Sequence, residues 1–231
     1  MKRIIFLLPL LIAVHIALAQ EVLLKQDVDK DTLVRNVGPN LRHYHHTYFS
    51  YGFAAMPSEK GADIKYGNSS FFDFGYRYKL KICNHYAVGT DFNMGFYYYN
   101  MMQNTSKVLP DTLLNDKENF NFSNLSLGLY NRINFGKRGN YVGNFLDLGA
   151  YGLFNYSMVH FTKNHMPDKS IVETRTRKLG YYNMLGWGLT ARLGFNRYII
   201  TANYRMSNLF KTNYNYPELS RLTVGFQIGF Y

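Results

Sequence analysis

The thirteen residues from Leu219 to Tyr231 alternate apolar side chains with small or polar ones. Leu222, Val224, Phe226, Ile228 and Phe230 share one parity, while Arg221, Thr223, Gly225, Gln227 and Gly229 share the other. A period of two puts successive side chains on opposite faces of a strand, so each face meets its own solvent. One face carries bulky aromatic and aliphatic groups and the other glycine and hydrogen-bonding groups. That division is expected of the wall of a transmembrane β-barrel, apolar outside and polar inside.

The same rule, applied along the chain, predicts eight strands: Thr47 to Ala55, Ser70 to Leu80, Tyr86 to Tyr99, Phe120 to Phe135, Tyr141 to Met158, Leu179 to Phe195, Tyr198 to Asn208 and the terminal segment. The third is the cleanest. Tyr86, Val88, Thr90, Phe92, Met94, Phe96 and Tyr98 alternate with Ala87, Gly89, Asp91, Asn93, Gly95, Tyr97 and Tyr99, a spacing no amphipathic helix produces. At ~3.3 Å per residue and ~40° tilt, such a run spans roughly 30 Å. Joints at Cys83–His85, at 136–140 and around Asn196 are short, whereas 57–69, 100–119, 159–178 and 210–218 are long. Short periplasmic turns alternating with long external loops are expected of an eight-stranded, antiparallel, up-and-down barrel in the outer membrane. Tyr78, Tyr86, Phe135, Phe195, Tyr198 and Phe230 all fall at the short-turn ends with outward parity, which predicts a periplasmic aromatic girdle.

Composition supports this class. The 231 residues include 21 Tyr, 18 Phe and 19 Gly, and beyond the N-terminal leader no apolar run reaches the ~20 residues of a spanning helix. Barrels escape hydropathy because only alternate residues are apolar, consistent with a mean hydropathy of −0.25. Lys2 and Arg3, the apolar stretch Ile4 to Leu18, and Ala17-Leu18-Ala19 predict a signal peptide at 1–19, cleaved between Ala19 and Gln20. A polar periplasmic tail, 20–42, is expected next, and the barrel at 43–231. The formal charge of +11 includes two charges in the leader, and the remainder forms no stripe, so no nucleic-acid partner is expected. The lone Cys83 excludes an internal disulfide framework.

The cleavable leader, the Tyr/Phe/Gly-rich strands and the Gly-Phe-Gln-Ile-Gly-Phe-Tyr segment resemble the small outer-membrane β-barrel families of Bacteroidota, broadly OmpA/OmpX-like or PorT-like. The resemblance covers about Leu41 to Tyr231 and concerns architecture and composition. It implies insertion by the barrel-assembly machinery, contact with outer-membrane lipid and lipopolysaccharide, and, through PorT-like proteins, membership of an envelope secretion or assembly machine with protein partners.

Inward parity falls on Asp73, Arg77, Asp91, Arg132, Asp147, Arg192, Arg205 and Arg221. Eight strands enclose a space that side chains fill, so these residues are expected to form a hydrogen-bonded polar network plugging the lumen, with no cofactor. His43, His45 and His46 could bind a transition metal, but no acid or cysteine lies beside them, and no metal site is expected. His160, His165 and Ser157 offer the parts of a lipid A or phospholipid modifying enzyme near one rim, without a recognised spacing. A non-catalytic barrel acting through its external loops or periplasmic tail is the leading expectation.

Overall fold

The computed structural model describes residues 38–136 and 141–230. The proposed leader, its Ala19/Gln20 junction and most of the proposed tail lie outside the described residues. The fold is all-β and antiparallel. Its strands are β1 His43–Ala54, β2 Ser70–Lys81, β3 Tyr86–Asn100, β4 Lys117–Phe135, β5 Asn144–His165, β6 Ile171–Thr176, β7 Leu185–Phe195, β8 Tyr198–Arg205 and β9 Leu222–Phe230.

Eight of these form a closed ring in the order β1-β2-β3-β4-β5-β7-β8-β9, with β9 returning to β1 from Thr47↔Phe230 to Ala54↔Thr223. The closing seam is tight. Gly52 faces Gly225 across it, and a Cβ on Gly52 would lie 2.3 Å from the Val224 carbonyl oxygen. Glycine there permits two backbones and the Phe71 ring to share one space.

The ninth strand departs from expectation. Residues 159–178 were expected to be a loop following a strand that ends at Met158, yet β5 runs on to His165 and turns into a hairpin with β6. A bulge explains why alternation concealed this. Ser123 pairs with Ser157 but Asn124 pairs with Asn155, so Tyr156 is an additional residue and the parity of β5 inverts beyond it.

Parity sorts the side chains as an inside-out protein would. Leu129 and Leu185 are 67% and 74% exposed on the outer face, whereas Arg77 and Asp147 are 0% exposed inside. The long connections also fold inward. Ala62, Ile64, Met101, Leu109, Leu209, Phe210 and Leu219 pack on Tyr99, Phe120, Phe122 and Met158 to make an apolar core over one mouth of the ring. At the short-turn end, a smaller cluster joins Val142, Phe145 and Ile199.

Candidate functional site

The interior between those ends is built by register. Arg77 on β2 lies opposite Asp91 on β3, and Asp147 on β5 lies opposite Arg132 on β4 on one side and Arg192 on β7 on the other. Antiparallel pairing therefore places acids and bases side by side on the inward face. Arg77 Nε donates to Asp91 Oδ2 at 2.9 Å, Arg192 Nη2 reaches the same oxygen at 2.8 Å, and the Tyr48 hydroxyl donates to Oδ1. Arg132 grips Asp147 with two parallel bonds, Nε to Oδ1 at 2.7 Å and Nη2 to Oδ2 at 2.8 Å. The fork-on-carboxylate geometry is the strongest form of such a pair. Tyr130 stands between the three arginines, with guanidinium carbons 5.5, 5.6 and 5.8 Å from its ring centre, and Arg132 also lies 3.6 Å over Phe145. Charges, phenols and a phenyl ring together fill the section of the lumen nearest the short turns.

Lys79 extends this group, although its inward parity had not been assigned from the sequence. It is buried, lies 5.3 Å from the Tyr44 ring centre and donates to the Pro39 carbonyl. The parity of Asp73 and Arg77 continues through position 79, and that was the available signal. Residues 39–42 are thereby held against the strand ends, with Lys81 N donating to the Arg42 carbonyl at 2.7 Å.

The remaining predicted lumen residues have separate settings. Asp73 is buried but takes no part in the ion pairs, and among the described residues no donor reaches its Oδ1. Arg205 belongs to the loop end, where Nη1 donates to Glu218 Oε2 at 2.7 Å and to the Ser207 carbonyl at 2.9 Å. Glu218 also accepts the backbone N–H groups of Leu209 and Phe210, so it ties the β8–β9 loop down. Arg221 lies just before β9, where it donates to the Met206 carbonyl and to Asn208 Oδ1. Its setting is the rim, not the plug.

A second polar centre, absent from the sequence reading, holds the lid. The fully buried Glu118 at the start of β4 accepts from Lys107 Nζ at 2.6 Å, and from Gln103 and Asn115 at 3.0 Å each; His160 Nε2 lies 2.8 Å away. Burial opposes ionisation of this carboxyl, but the bonds from His160, Lys107 and Asn115 outweigh it and hold the group below its usual range. His160 also stacks on Phe120 at 4.7 Å. His160 faces inward because of the bulge at Tyr156, whereas Ser157 faces outward opposite Ser123. His165 is bound instead to Asp116 at 2.8 Å. Ser157, His160 and His165 thus fail to converge as a nucleophile and base would require.

Alternation also divides the histidine group. His46 is buried inside, whereas His43 and His45 point outward, His43 against the Tyr78 hydroxyl at 2.7 Å and His45 stacked on Tyr76. Among the described residues, no cluster of three or more His, Cys, Asp or Glu is placed to hold a metal. Tyr86, Phe135, Phe195, Tyr198 and Phe230 are exposed on the outer face near the short turns, and Tyr78 is half-buried there. Tyr86 donates at 2.5 Å to Asn131, the amide that interrupts the apolar outer face of β4 between Leu125 and Phe135.

Between plug and lid, two adjoining cavities of ≈ 30 Å³ each share Tyr97, Tyr151, Leu153 and Asn203 as walls. Such space suits a few waters bridging Asp73 to neighbouring amides. The arrangement can seal and stiffen a ring. No protein-family model, curated protein or solved structure matches this chain.

Proposed function

We propose that the protein is an integral outer-membrane β-barrel whose lumen is closed by its own side chains and whose task is interaction through the segments beyond the membrane, without catalysis. The observation that carries this reading is the outer face of the ring. Phe74, Phe92, Leu127, Leu148, Trp187, Leu189, Ile200 and Phe226 come from seven of its strands, and each is 45% exposed or more. A soluble monomer rarely exposes an apolar patch beyond a few hundred Å², and a continuous apolar wall around a charged interior has its natural solvent in lipid. The aromatic residues near the short turns fit one headgroup interface, and the lid end would then face outward. Outer-membrane lipid and lipopolysaccharide are the expected surroundings, and the barrel-assembly machinery the expected route in.

The test is fractionation of cells producing the full chain. The protein should remain in the outer-membrane pellet after carbonate extraction and migrate anomalously in detergent gels unless heated. Recovery as a soluble protein without detergent would overturn the reading.

A further inference from the structure

The β5–β6 hairpin extends the wall of the ring, with β5 still paired to β4 as far as Lys163 and all six residues of β6 exposed. Among the described residues, β6 pairs only with β5, so its second edge presents backbone donors and acceptors to solvent. A bare edge of this kind is a template for another strand. We propose that this edge pairs with the same edge of a second copy of the chain, antiparallel about a two-fold axis at Thr174, and that the pair bridges two facing membranes.

The charge pattern selects the occupant. In that register, Glu173 of each copy lies opposite Arg175 of the other, and Thr174 lies opposite Thr174. Within one copy, Lys163 already pairs with Glu173 at 3.2 Å, and Arg175 lies 5.5 Å from the Phe161 ring centre. The first row across the joined sheet would read Lys163, Glu173, Arg175 and Phe161, with signs alternating plus, minus, plus. The central row would be four threonines, because Thr162 is the existing partner of Thr174. Opposite charges and Thr–Thr pairs directly across strands are both favourable, and a symmetric edge supplies every row twice.

Orientation follows from the sheet. Edge-to-edge antiparallel pairing has its two-fold axis perpendicular to the sheet, which reverses the strand direction in the second copy. Since β5 is continuous from the ring wall into the hairpin, the second ring is reversed as well. Two copies in one membrane cannot meet this way, whereas copies in facing membranes can. This placement rests on the membrane reading given above. Six residues make a small interface, so one pair is weak and many pairs between two surfaces gain by multivalency.

The experiment uses the full chain in detergent, followed by sedimentation equilibrium over a concentration series. E173R and R175E should each raise the dimer dissociation constant at least tenfold, and the double variant E173R/R175E should recover most of the loss. In a Cys83→Ser background, T174C should form a disulfide with itself across the axis. Proteoliposomes of phosphatidylethanolamine and phosphatidylglycerol should cluster with the wild type and disperse with either single variant. A chain that inserts normally but stays monomeric, or a double variant no better than the singles, overturns the pairing. Dimers that leave vesicles unclustered overturn the facing-membrane orientation. Dimers in this register that do not enter vesicles overturn the membrane reading, and the bridging with it.

Discussion

Removing Arg132 separates two accounts of the lumen, a set of polar groups that merely fit and a network whose members depend on one another. Arg132→Met keeps most of the side-chain length over Phe145 but leaves Asp147, which is fully buried, without its two bonds of 2.7 and 2.8 Å. The nearest replacement cation in the register, Arg192, is committed to Asp91 at 2.8 Å. An uncompensated buried charge costs about 3–5 kcal/mol, whereas replacing both partners with apolar groups of similar volume is often close to neutral. Arg132→Met should therefore destabilise by about 3–5 kcal/mol, and Arg132→Met with Asp147→Leu by about 1 kcal/mol or less. The single Trp187, half-exposed on the outer face of β7, reports release from detergent or lipid during urea titration. Single-variant losses under about 1 kcal/mol, or a double variant that costs the sum of its singles, would refute the buried-network argument.

Four further outcomes test other parts of the molecule. Wild-type protein in planar bilayers should pass no steady current, while Arg132→Ala combined with Arg192→Ala should open one; steady wild-type conductance would contradict the plug. Gly52→Val drives a side chain into the Val224 carbonyl and the Phe71 ring at the closing seam, so the folded, heat-modifiable fraction should fall, with a loss of about 1–3 kcal/mol or more. Glu118, held below its usual range, contributes stability that is complete above the ordinary carboxylate value and disappears as pH falls through the lowered one. Acid, or Glu118→Gln at neutral pH, should thus expose the 101–116 loop to protease while the strands stay protected from hydrogen exchange. Cys83, exposed in the turn between β2 and β3, should react with an impermeant maleimide only after the outer membrane is opened. Labelling on intact cells would invert the topology.

What could be read from the sequence was whatever alternation encodes. Arg77, Asp91, Arg132, Asp147 and Arg192 were placed on one face by parity alone, since period two is a property of the strand and needs no knowledge of neighbours. Which acid meets which base depends on register, and register follows from turn geometry and pairing that no single strand contains. Alternation failed where one residue was inserted. Tyr156 shifts the phase of β5, and with the phase went the inward turn of His160 and its pairing with Glu118; β6 is exposed along its whole length, so it has no buried face for alternation to mark. Glu118 and Glu218 were invisible for a related reason: their partners come from loops, whose order arises from tertiary packing of residues such as Met101, Leu109 and Phe210.

The two polar centres solve one problem at two levels. On the membrane reading proposed above, lipid outside the ring cannot drive its closure as water drives the collapse of a soluble core, because an apolar outer face is equally content beside any apolar solvent. Uniqueness must then come from the inside, where unpaired groups are costly and each pair fixes the offset between two strands. Arg77 with Asp91 fixes β2 against β3, Arg132 with Asp147 fixes β4 against β5, and Arg192 with Asp91 ties β7 across the lumen to β3. Shifting any of these strands by one residue would turn its charge outward into the apolar face, a penalty far larger than that of losing one backbone bond. The lid repeats the principle with Glu118 and Glu218, each of which gathers donors from the loops above it. Among the described residues, β6 is then left as a strand paired along one edge alone.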